Sequence, residues 1–153
     1  MAILEVGINL SLKKLVEIKY YSSSDKILDP KIRAQFLTGL ENYISEVFDD
    51  KINVISFSDF QIICYYKMIQ SRSKEESNPS QPLLVFAIVE KYTDPNLVKQ
   101  HLKKIISSFL ECYDLNEIFS KESKRFEDFK PKIDEILGEL KLKIEDRIGS
   151  VFR

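Results

Sequence analysis

Leu83 to Val89 reads Leu-Leu-Val-Phe-Ala-Ile-Val, an apolar run with no polar break. Successive side chains of a β-strand point to opposite faces, so a strand written this way is covered on both. The chain must therefore supply a sheet in which this segment is central and helices that pack above and below it. At 153 residues it is long enough for one sizeable core and too short for two. With 44% apolar and 31% charged residues the composition is that of an ordinary globular domain. The expectation is a single domain over 1–153.

The remaining elements follow from period and punctuation. Ile3 to Ile8 and Leu12 to Tyr21 read as two strands of a hairpin joined at Asn9-Leu10-Ser11. Asp29-Pro30 places a capping carboxylate before a proline at the first helical position. From there Ile32, Phe36, Leu40, Ile44 and Val47 form one buried stripe of a first helix that runs to about Phe48. Ile52 to Phe57 and Phe60 to Ile69 read as a second hairpin about Ser58-Asp59. Gln70 to Pro82, rich in serine with Pro79 and Pro82, reads as a mobile surface loop before the apolar strand.

Asp94-Pro95 repeats the helix start, and Val98, Leu102, Ile105, Phe109 and Tyr113 make the stripe of a second helix. Leu115 to Asp128 reads as a mixed connection. A last helix opens at Phe129-Lys130-Pro131, with Ile133, Leu137, Leu140, Ile144, Ile148 and Val151 on one face and Leu142 opposite, and continues to the end of the chain. The predicted fold is α+β, an α-β-α sandwich about a five-stranded, mainly antiparallel sheet, with the order β-β-α-β-β-β-α-α.

No catalytic signature stands out. The single histidine, His101, lies on the flank of the second helix, with no nucleophile paired to it by spacing. Cys64 sits mid-strand, where a thiol behaves as a small hydrophobe, and Cys64 and Cys112 lack the spacing of a metal or CxxC site. Four glycines leave no phosphate-cradling loop of the GxxxxGK or GxGxxG kind. The carboxylate pairs Asp49-Asp50, Glu75-Glu76 and Glu127-Asp128 read as solvated caps rather than a calcium loop. The expectation is no enzyme, no cofactor and no metal.

Charge narrows the partners. Lys plus Arg number 23 against 24 Asp plus Glu, so no net field holds the chain to nucleic acid. Lys121, Lys124, Arg125, Lys130 and Lys132, around Phe126 and Phe129, offer a local patch for anionic lipid or an acidic surface. Acidic residues among them favour a solvated connection. No window has the length of a membrane-spanning helix, and the start Met1-Ala2-Ile3-Leu4-Glu5 lacks a basic leader. A cytoplasmic protein, peripheral to membranes at most, is expected.

The order of elements resembles the longin domain over Ile3 to about Phe152. The features that look similar are a strand beginning near Met1, a hairpin, a first helix after Asp29-Pro30 and the aromatic-rich meander Asn53 to Ile69. To these add Leu83 to Val89 leading to Asp94-Pro95, and the closing stretch Phe126 to Leu137. The roadblock fold is the nearest competitor, but it begins with a helix and finishes with one, and a profilin-like sandwich is a further alternative. The resemblance implies a protein-interaction module of vesicle trafficking, an adaptor, tethering subunit or GTPase regulator. Its partners would be a small Ras-like GTPase, a longin- or roadblock-like subunit, or a helical segment. Because the chain stops at Arg153, it resembles a stand-alone longin; its Ile- and Lys-rich wording would suit an archaeal, eukaryote-like trafficking protein.

The resemblance also places Ile52 to Phe57 at a sheet edge beside the first helix. An unpaired edge offers backbone donors and acceptors to a partner. The expected interface comprises Arg33, Glu41 and Tyr43 of that helix, with Gln35 at its margin, and Asn53, Val54 and Ile55 of the strand. Self-pairing through this surface gives an isologous homodimer. The alternative is a structural subunit of an obligate oligomer with no GTPase contact.

Overall fold

The computed structural model describes residues 3–20, 54–56, 60–70 and 80–141, together with the helical positions Lys31, Ala34, Gln35 and Thr38. Four strands build an antiparallel sheet: β1 (Ile3–Leu10), β2 (Lys13–Lys19), β4 (Phe60–Ile69) and β5 (Gln81–Glu90). The three residues of β3 (Val54–Ser56) pair with β4, which completes the order β2-β1-β5-β4-β3. The fold class is α+β. β1 and β5, the first and last of the described strands, lie side by side, with Gly7 opposite Phe86 and Ile8 opposite Val85.

The apolar run is central, as its composition requires. Leu83, Val85, Ala87 and Val89 turn to one face, and Leu84, Phe86 and Ile88 to the other, and none exceeds 4% exposure. On the first face they pack with Val6, Ile8, Leu10, Val16 and Ile63 against α1 (Pro95–Cys112). On the second, Ile62 and Cys64 continue the same buried layer across β4. Lys31, Ala34, Gln35 and Thr38 are all exposed, at offsets of three and four that define one outer helical face. The apolar stripe predicted between them, from Ile32 to Val47, lies outside the described residues.

α1 begins where Asp94-Pro95 predicts. The Asp94 side chain accepts from the Asn96 amide at 3.0 Å, and Pro95 fills a position whose N–H has no helical partner. Val98, Leu102, Ile105, Ile106 and Phe109 form its buried stripe. Tyr113, predicted as the end of that stripe, is the C-cap instead and is still buried.

The first hairpin turn falls at Ser11-Leu12 rather than at Asn9-Leu10-Ser11, because Asn9 and Leu10 continue β1, and three later boundaries also differ from expectation. β5 starts at Gln81, so Gln81-Pro82 belongs to the sheet rather than to the predicted loop; residues 71–79 lie outside the described set. Pro82 is accommodated because its carbonyl accepts from the Ser11 amide at 3.0 Å, while its missing N–H makes no demand on a neighbour. The connection Leu115 to Asp128 is largely helical. α2 (Leu115–Ser120) is capped by Asp114, which accepts from the Glu117 amide, and a 3-10 helix spans Ser123–Phe129.

The last helix does not run on to the end of the chain. α3 (Lys130–Leu137) stops at Gly138, whose φ of 53° and ψ of −119° break the helical path. A 3-10 turn at Gly138–Leu140 follows, and Lys141 then forms a parallel bridge with Ile3. Leu142, Ile144, Ile148 and Val151 lie outside the described residues.

Candidate interaction surfaces

β3 is an edge because, among the described residues, it pairs with β4 alone: Val54 opposite Ile63, Ile55 opposite Ile62, Ser56 opposite Gln61. The strand is held by its inner side chain. Val54 is half-buried and packs against the α1-side core, while Ser56 is exposed. Val54 thus anchors the strand, and what the edge presents outward is backbone. Tyr65 of β4 is also partly buried against this core, and the Lys103 ammonium of α1 stands 5.7 Å from its ring centroid. Of the interface predicted from sequence, Gln35 is helical and exposed. Arg33, Glu41, Tyr43, Asn53 and the side chain of Ile55 lie outside the described residues.

The opposite edge, β2, carries a feature that sequence periodicity did not signal. The Tyr20 amide donates to the Leu4 carbonyl at 2.8 Å, and the register pairs Ile18 with Val6 and Glu17 with Gly7. Antiparallel bonding alternates, so Tyr20, Ile18 and Val16 turn their backbone groups toward β1. Glu17 and Lys19 turn theirs outward. The register then skips from Ile8–Val16 to Asn9–Lys14, which leaves Leu15 as an extra residue and bends the strand.

Along this edge runs an open groove of about 520 Å3, with Lys14, Glu17 and Lys19 on one side and Ser123, Glu127 and Lys130 on the other. Lys19 pairs with Glu17 at 3.6 Å and Lys130 with Glu127 at 2.8 Å. Lys14 is exposed and has no ion pair among the described residues.

The far wall of the groove is rigid for a reason rooted in aromatic packing. Phe126 and Phe129, three apart on the 3-10 helix, point into the core at 0% and 2% exposure. They meet Phe109 of α1 at centroid distances of 5.3 and 5.1 Å, and Tyr113 stands edge-on to Phe126 at 4.9 Å. The Tyr113 hydroxyl donates to Asp128, and Arg125 lies over the Tyr113 ring at 4.9 Å while pairing with Glu117 at 2.7 Å. A second strut crosses to β2, where the Tyr20 hydroxyl donates to Asp134 of α3 at 2.6 Å. Burial and, after it, that carboxylate push the Tyr20 phenol well above its usual range.

This packing places the two aromatic residues of the charged segment 121–132. Its two phenylalanines are core anchors, not lipid-facing side chains. Arg125, Lys130 and Lys132 pair with Glu117, Glu127 and Glu135 in turn.

His101 and Cys64, two groups of kinds that elsewhere carry chemistry, are engaged or buried. His101 Nδ1 lies 2.8 Å from the Leu97 carbonyl of its own helix. Burial pushes the Cys64 thiol up to about 12, which keeps it protonated and unreactive at neutral pH. Among the described residues no three His, Cys, Asp or Glu side chains cluster as metal ligands, and no helix is long and apolar enough to cross a membrane. No protein-family model matches the chain, and no curated protein matches it in sequence.

Proposed function

We propose that the chain is a longin-like protein-interaction module of membrane-traffic type, not an enzyme, which binds a small Ras-like GTPase or another longin- or roadblock-like subunit. The observation that carries this reading is the position of β3 at the edge of the sheet. In a longin arrangement the strand after the first helix occupies that place and offers its backbone to a partner. The central, doubly buried β5 followed by a helix capped at Asp94-Pro95, and the later closing helix entered through Phe126 and Phe129, support the same reading. Engaged His101 and buried Cys64 argue against nucleophilic catalysis.

Among the described residues β2 and β3 are the outermost strands of the sheet, and this favours a second reading: a structural subunit assembled through a sheet edge. Retention of small GTPases from the protein's own source on the immobilised full chain, each loaded with GDP or with a non-hydrolysable GTP analogue, separates the two. Retention in one nucleotide state supports a regulator or effector. Retention in neither, with a stable dimer by light scattering, supports the structural subunit.

A further inference from the structure

We propose that the β1–β2 turn is a membrane-docking tip, which sets Leu12 and the neighbouring Met68 into the interfacial layer of an anionic bilayer. Three observations converge on it. First, the turn is built to display an aliphatic side chain. Leu12 is 59% exposed at its apex, and Ser11 before it has a φ of 52°, the only positive φ of a non-glycine among the described residues. A serine there carries strain that a glycine would not. The Ser11 N–H donates to the Pro82 carbonyl at 3.0 Å and its hydroxyl to Gln81 Oε1 at 3.3 Å, so the strained turn is fastened to the start of β5. Leu12 is thus held out in place, and docking orders little of the protein.

Second, Leu12 is not a solitary exposed leucine. Met68 of β4, 41% exposed, pairs with Pro82, the same residue that receives the Ser11 amide, so the two aliphatic side chains flank Pro82 at one end of the sheet. Third, the charge around them selects the occupant. Lys13 of β2, Leu10, Leu83 and Lys67 of β4 lie in one row across four strands, one residue inward of Leu12 and Met68. Three strand spacings set the two lysines about 14 Å apart. Lys13, Lys14 and Lys67 have no ion pair among the described residues, and residues 10–14, 66–69 and 80–83 include no acidic side chain. Aliphatic groups outermost, with ammoniums spread just behind them, match a bilayer interface. The apolar side chains leave water while the lysines stay at the depth of anionic headgroups.

The sequence contains no tryptophan, so Leu12→Trp puts a single indole at the tip. With the full chain and vesicles of phosphatidylcholine and phosphatidylserine in equal parts, its emission is expected to shift to shorter wavelength and to resist an aqueous quencher. With phosphatidylcholine alone it should do neither. In co-sedimentation with the mixed vesicles, Leu12→Ser is expected to lower the bound-to-free ratio of the wild type about tenfold, with the thermal midpoint unchanged because the residue is exposed. Lys13→Gln and Lys67→Gln should each lower it by about fivefold at low salt, and they serve where Leu12→Ser fails to fold. Lys91→Gln, the same loss of charge just beyond the opposite end of β5, should leave it unchanged.

Equal binding to mixed and neutral vesicles, no binding to either, an unshifted indole, or a loss from Lys91→Gln as large as that from Lys13→Gln overturns the proposal. Self-association that Leu12→Ser abolishes, without vesicle binding, also overturns it and assigns the tip to a second copy. No measurement here uses a GTPase, so the result stands apart from the reading of β3.

Discussion

Gly7 and Phe86 face each other across β1 and β5, and the phenyl ring occupies the place where any side chain at Gly7 would begin. A Cβ built on Gly7 lies 2.4 Å from Cε1 and 2.5 Å from Cζ of Phe86. The ring is itself only 4% exposed, so it has little freedom to swing away. Glycine stands here because an aromatic crosses over its backbone in the centre of the sheet.

Gly7→Ala is accordingly expected to destabilise the fold by about 1–3 kcal/mol, the range of core overpacking. Shortening the opposing side chain should relieve the clash, so Gly7→Ala with Phe86→Leu should lose less than the sum of the two single changes. Urea midpoints of the four proteins measure the coupling, and additive losses would show that the ring moves aside freely.

The Tyr20 hydroxyl, just past the end of β2, braces the sheet against α3. Tyr20→Phe removes the donor to Asp134 at 2.6 Å without altering the ring, and is expected to lower stability by about 1–2 kcal/mol. Asp134→Asn in the same background should add little, because the two residues share one interaction. Thermal or urea unfolding of the cycle reads this directly.

Alkaline pH should weaken the fold. Cys64 titrates near 8.5 when unfolded and is pushed up to about 12 by burial. A raised folded-state pKa gives stabilisation that is complete below the unfolded value and declines as pH rises through the window between the two, because the unfolded chain loses its proton first. The Tyr20 phenol, held protonated by burial and by Asp134, adds a loss of the same sign above about pH 10. Urea stability is therefore expected to fall from about pH 9 upward, at up to about 1.4 kcal/mol per pH unit for each group. Cys64→Val should flatten the part below pH 10. In native protein at pH 8 a thiol reagent should modify exposed Cys112 and spare Cys64 until urea is added.

Much of this architecture is legible in the chain because it rests on local chemistry. The unbroken run of β5 announces burial on both faces, and Asp94-Pro95 announces the start of α1. Gly138 illustrates the limit. A glycine followed by Leu140 and Ile144 at helical spacing reads as a weak point inside a helix, whereas its positive φ makes it the stop. Asp114 with Glu117 three residues later is a helix start legible in the chain, although the charged residues that follow give the segment the look of a mixed connection. Phe126 and Phe129 looked like part of a charged surface segment because their destination, the rings of Phe109 and Tyr113, is set by tertiary packing. The β2 groove was invisible for the same reason: Lys14 and Lys130 meet across more than a hundred residues of sequence, and the bulge at Leu15 leaves no period to detect.

We propose above that β3 presents a binding edge. It is tested most directly by comparing the wild-type full chain with Ser56→Arg, a change at an exposed β3 position, in capture of nucleotide-loaded small GTPases. The wild type is expected to retain a GTPase in one nucleotide state, and Ser56→Arg, with an unchanged thermal midpoint, to lose it. Capture that ignores nucleotide state, or that persists undiminished in Ser56→Arg, would contradict it.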